Sequence, residues 1–114
     1  MAEPLQDLMR DDGAVVYYTE SFRKTIEDHL DAMRTARSSL SIQVDGNIAY
    51  KFEYNFYGLL RHLQVSPYMH WITMRVNGYL SPDEYLGSHV VIVIPDPEYI
   101  EKLRSTHNTI NKSL

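Results

Sequence analysis

The sequence predicts an α+β protein built on a small antiparallel sheet with two covering helices, a preceding amphipathic helix and terminal arms, and three observations lead to it. Residues Ile48 to Tyr54 alternate, with Ile48, Tyr50, Phe52 and Tyr54 on one face and Ala49, Lys51 and Glu53 on the other, the period of a half-buried strand. The run HVVIVI from His89 to Ile94 is β-branched, almost wholly apolar and stopped by Pro95, as a short closing strand should be. Between the two, Phe56, Leu59, Leu60 and Leu63 fall at helical spacing, and Ser66-Pro67 ends one helix and opens the next.

Composition bounds what such a protein can be. A chain of 114 residues with 44% hydrophobic content makes one domain with a modest core. It contains no cysteine, which excludes a disulfide framework and thiolate metal sites. No run approaches the roughly 20 apolar residues of a membrane span, and MAEPLQDLMRDDG has no signal-like apolar core, so the chain reads as soluble. Net charge is −4 and the eleven basic residues are scattered, an arrangement that offers nucleic acid no basic stripe.

In chain order, residues 1–38 read as an N-terminal arm followed by an amphipathic helix. Leu5, Leu8 and Met9 lie on one side of a short helical segment after Pro4, too little apolar surface to stand alone, and Gly13 breaks it. AVVYY, residues 14–18, reads as a brief extended segment. From Thr19 to Arg37, with Thr19 or Ser21 as cap, Phe22, Ile26, Leu30 and Met33 recur every three or four residues; Glu20 is in the first turn and Arg34 and Arg37 are in the last. Residues 39–96 form the central module. Leu40, Ile42 and Val44 alternate ahead of Asp45-Gly46, a strong hairpin signal, so residues 40–45 are expected to pair with 48–54 in a sheet of at least three strands with an exposed edge at 40–45. Asn55 is a natural N-cap, Asn77-Gly78 a helix stop, and Trp71 is expected between the second helix and the sheet. Residues 97–114 begin with a helix capped by Asp96, with Pro97 in its first turn and Ile100 and Leu103 on its apolar side. They end in a polar tail from Thr106 that would order only on a partner.

The search for chemistry is largely negative. His29, His62, His70, His89 and His107 are spread over separate elements without ligand spacing, although His62 and His70 could meet across two helices. There is no phosphate loop and no nucleophile elbow, and the pairs Asp11-Asp12 and Asp83-Glu84 read as solvated turns. No catalytic group, metal or cofactor is therefore predicted. What stands out is the aromatic load between residues 50 and 85, more than so small a core can bury. Tyrosine and tryptophan are favoured at interfaces, where a rigid ring gives contact area and a polar tip. The candidate partner-binding residues are Leu5, Leu8, Met9, Tyr54, Tyr57, Tyr68, Tyr79 and Tyr85, with Tyr68 and Tyr79 best placed for exposure.

The hinge Val65-Ser66-Pro67, the helix ending at Asn77 and the strand ending Ile94-Pro95 resemble a LysM module, over about half of the chain. His70-Trp71, Val76-Asn77-Gly78-Tyr79, Ser81-Pro82 and Ile94-Pro95-Asp96 further resemble the LysM-like baseplate wedge subunit of contractile-tailed bacteriophages. That resemblance implies a βααβ core, a preceding long helix and a structural role. In that role the chain, present in multiple copies in a symmetric assembly, would clamp neighbouring baseplate and tail proteins in the virion after assembly in the host cytoplasm. Peptidoglycan-binding LysM modules are similar but have Gly-Asp-Thr at the entrance to the first helix, where this chain has Glu53-Tyr54-Asn55 followed by bulky Phe56. Glycan binding is thus the alternative expectation.

Overall fold

The computed structural model describes residues 19–113, with side chains to residue 106. Within them the chain is an α+β domain: α1 (Glu20–Asp28), α2 (Leu30–Thr35), β1 (Leu40–Gln43), α3 (Gly46–Lys51), α4 (Phe56–His62), α5 (His70–Val76), β2 (Val91–Ile94) and α6 (Pro97–Ser113), with 3-10 turns at Pro67–Met69 and Pro82–Glu84. Leu5, Leu8, Met9 and the extended segment expected at 14–18 lie outside the described residues.

The expected amphipathic helix is present but divided. Thr19 caps it, its hydroxyl oxygen accepting from Phe22 N at 3.3 Å. At His29 the ring Nδ1 donates to Thr25 O at 2.8 Å while the backbone N–H turns to Ile26 O at 2.9 Å. The side chain has taken the carbonyl that the ladder would use, a local competition that breaks regular helix. Arg34 stays in the last turn of α2, where its Nε donates to Val76 O at 2.7 Å, and Arg37 lies beyond it.

The sheet corrects the sequence reading. Residues 48–54 are not a strand and Asp45-Gly46 is not a hairpin turn. Asp45 instead caps α3, its carboxylate accepting from Asn47 N at 3.0 Å. Ile48 and Phe52, four residues apart, satisfy helical and alternate spacing alike, and burial decides between them: Ala49, on the outer face of the expected strand, is fully buried while Tyr50, on its inner face, is 71% exposed. The sheet has two strands among the described residues. β1 pairs antiparallel with β2 in the register Leu40↔Ile94, Ser41↔Val93, Ile42↔Ile92 and Gln43↔Val91. The ladder is extended by Val44 N donating to Val90 O at 2.7 Å.

Two apolar clusters meet on α5. Phe22, Ile26, Met33, Ile72, Val76 and Ile100 form the first, under α1, α2 and α6. Phe56, Leu59, Leu60, Met74, Tyr85 and Ile92 form the second, under α3, α4 and the sheet. Trp71 touches both and is half-buried, with the Arg23 guanidinium 4.7 Å over its ring, rather than enclosed against the sheet. Asn55 caps α4 as the sequence predicts, accepting from Gly58 N at 3.0 Å. Asp96 caps α6, accepting from Glu98 N at 3.0 Å. That helix continues to Ser113, so the backbone of the expected polar tail is helical.

Candidate interaction surface

The α3–α4 junction builds the most distinctive surface of the domain. After Lys51 the helix ends with Glu53 N donating to Tyr50 O at 3.2 Å, and Tyr54 follows with φ of +64°. A bulky side chain in the left-handed region costs about 1–2 kcal/mol, and glycine would avoid it. Tyr54 is held there by its N–H, which donates to Tyr85 O at 2.7 Å. Beside it Gly87 N donates to Glu53 Oε2 at 2.9 Å, and a Cβ on Gly87 would stand 2.9 Å from Tyr50 Cα. Only glycine permits that approach. The loop carrying Leu86 is thereby drawn against Tyr50 and Tyr54, leaving Tyr50 71%, Tyr54 61% and Leu86 39% exposed.

An aromatic cluster supports the patch from inside. Phe56 and Tyr85 are fully buried with ring centroids 5.3 Å apart, and Tyr79 lies 5.1 Å from Phe56. Tyr85 Oη donates to His89 O at 2.7 Å, and the Tyr79 ring stacks on His89 with Oη 2.6 Å from Nδ1. Burial pushes the Tyr79 phenol up to about 12 and the Tyr85 phenol upward from its ordinary value.

The structure thus sorts the predicted contact residues. Tyr54 is on the surface. Tyr57, Tyr68 and Tyr79 are half-buried, so the expectation that Tyr68 and Tyr79 are the best exposed is corrected. Tyr85 has no exposed surface and belongs to the core, because its hydroxyl finds a carbonyl and its ring fills the space between Phe56 and Tyr79. Tyr50 and Leu86 were missed. The signal for Tyr50 was present: reading Asp45 as a helix cap puts Tyr50 opposite Ala49's buried side.

Among the described side chains the histidines are engaged separately. His70 is buried, Nε2 donating to Val65 O at 2.9 Å, and desolvation lowers its pKa. His62 lies against Phe52 at 5.4 Å. Among the described residues no three His, Cys, Asp or Glu side chains converge as a metal site, and no helix is long and apolar enough to cross a membrane. No protein-family model, no curated protein and no solved structure matches the chain.

Proposed function

We propose that the chain is a non-enzymatic, LysM-like assembly subunit of a contractile phage tail baseplate, docking onto neighbouring subunits through Tyr50, Tyr54 and Leu86. The observation that carries the reading is Tyr54, a bulky aromatic kept exposed at a positive φ that glycine would occupy more cheaply. Backbone strain of this kind gathers where a side chain has a use, and here the ring is 61% exposed. Tyrosine anchors on a rigid base are the usual energetic centres of protein interfaces.

The LysM-like part of the proposal draws support from chain order. An antiparallel pair, β1 and β2, brackets α3, α4 and α5, so the order departs from βααβ by one added helix; α4 and α5 are joined through Val65-Ser66-Pro67, and Asn77 is the C-cap of α5. Against the glycan alternative, the entrance to α4 is filled: Phe56 is fully buried, and the Tyr54–Tyr85 and Glu53–Gly87 hydrogen bonds draw the neighbouring loops together across it. The test is mass spectrometry of purified tail particles alongside titration with peptidoglycan fragments. Stoichiometric presence in the particle with no saturable fluorescence change is the expected result. Absence from particles, or saturation by the glycan, overturns the proposal.

A further inference from the structure

The two edges of the sheet are treated differently. Because Val44↔Val90 is a hydrogen-bonded pair, alternation along the ladder makes Ile42↔Ile92 and Leu40↔Ile94 hydrogen-bonded pairs as well, and turns the backbone groups of Ser41 and Gln43 on β1, and of Val91 and Val93 on β2, away from the partner strand. On the β2 side the outward groups of Val93 are sealed: Val93 N donates to Asn77 Oδ1 at 2.9 Å and Val93 O accepts from Asn77 Nδ2 at 2.8 Å. On the β1 side, among the described residues, nothing bonds to the N–H and C=O of Ser41 and Gln43. The strand LSIQ has no lysine, proline or other charge of the kind that guards an open edge.

We propose that β1 pairs antiparallel with β1 of a second copy of this chain about a two-fold axis at Ile42, making one four-stranded sheet. Three features select a second copy as the occupant. The outward-facing residues lie symmetrically about Ile42, so Ser41 of one copy meets Gln43 of the other and every outward N–H and C=O finds its complement. The same operation places Leu40, 63% exposed and apolar, opposite Val44 of the other copy, and Ile42 opposite Ile42. The charged residue nearest the ladder, Asp45, falls opposite Ser39, so no like charges face each other. The inner face of β1 continues into a groove of about 520 Å³ lined by Leu40, Ile42, Leu63, Val65, Met69 and Ile94, so side chains carried in on that face meet apolar surface. A shared strand edge of this kind is an isologous contact and closes at two copies.

The interface is independent of the Tyr50–Tyr54–Leu86 patch and is tested on the isolated chain. Sedimentation equilibrium across a concentration series should give twice the 13.3 kDa chain mass. Leu40→Lys, at a position exposed in the single copy, should weaken association by at least about tenfold, and Ser41→Pro should do the same by removing an outward N–H. The chain has no cysteine, so Ile42→Cys reports register without interference. A non-hydrogen-bonded pair sits with Cα atoms about 4.5 Å apart, within disulfide range, and mild oxidation should give a covalent dimer reversed by reductant. A monomeric parent, or a dimer unmoved by Leu40→Lys, overturns the proposal; a dimer sensitive to Leu40→Lys but giving no cross-link at Ile42→Cys rejects the two-fold register.

Discussion

Replacing Asn77 with alanine tests how α5 and the sheet are joined. The Asn77 amide makes three hydrogen bonds: Nδ2 donates to Thr73 O at 2.7 Å and to Val93 O at 2.8 Å, and Oδ1 accepts from Val93 N at 2.9 Å. One bond closes the last turn of α5 and the other two satisfy the outward backbone groups of Val93 on β2. A hydrogen bond of this kind is worth about 1 kcal/mol net, and partly buried backbone groups left without a partner cost more. Asn77→Ala should therefore destabilise the domain by roughly 2–4 kcal/mol, a fall in Tm of about 10 °C or more for a domain of this size. Urea unfolding followed through Trp71, the sole tryptophan, gives the number. Asn77→Asp provides an isosteric comparison: it keeps the acceptor but sets a carboxylate against the carbonyls of Thr73 and Val93. It should be at least as harmful as alanine at neutral pH and should recover in acid, when protonation restores a donor. A loss below about 0.5 kcal/mol for Asn77→Ala would refute the joint as an energetic link.

Other expectations follow from individual side chains. Gln64 sits at φ +64° after α4, so Gln64→Gly should stabilise by about 0.5–1 kcal/mol, read as a raised urea midpoint. Trp71→Ala should cost about 2–3 kcal/mol, below the range for a fully enclosed tryptophan because the ring is half-exposed and bears Arg23; an unchanged midpoint would remove it from the core. Arg75 beside Glu27, with bonds of 2.6 and 2.9 Å, holds that carboxyl below its ordinary value. Its contribution is present above the unfolded-state pKa and lost as pH falls through the lower folded value, so Glu27→Gln should flatten stability against pH in the acid range. The Tyr79 phenol, raised by burial to about 12, works in the opposite direction: stability should decline as pH climbs from the ordinary tyrosine value toward 12, and Tyr79→Phe should lessen that decline.

What the sequence made legible were features with a local cause. The caps at Thr19, Asn55 and Asp96, the stop at Asn77-Gly78 and the strand closing at Ile94 each follow from a few adjacent residues, and all are found where predicted. The errors arose where two periods fit the same residues. Ile48 and Phe52 suit helix and strand alike, and a cap at Asp45 rather than a turn decides between them; once 46–51 is helical, β1 must find its partner about fifty residues away in β2. The division at His29 depends on a side chain competing for Thr25 O, which no periodicity reveals. For the candidate surface, aromatic abundance was visible but the partition was not. Tyr85 goes inside because its ring packs on Phe56 and its hydroxyl reaches His89 O, and Tyr50 comes out because α3 turns Ile48, Ala49 and Phe52 to the core. The packing of Tyr85 on Phe56 joins segments distant in the chain, which local sequence does not specify.

The central claim is that Tyr50 and Tyr54 serve a partner and not the fold. A double variant, Tyr50→Ser with Tyr54→Gly, separates the two. Both rings are more than half exposed and glycine relieves the positive φ at residue 54, so the isolated variant should be as stable as the parent. Losing two tyrosine anchors worth about 2 kcal/mol each should reduce incorporation into assembled tail particles by well over tenfold. The measurement is the amount of variant relative to parent in purified particles, with the urea midpoint of each alongside. Unchanged stability with incorporation lost is the predicted result; normal incorporation of a fully folded variant would contradict the account.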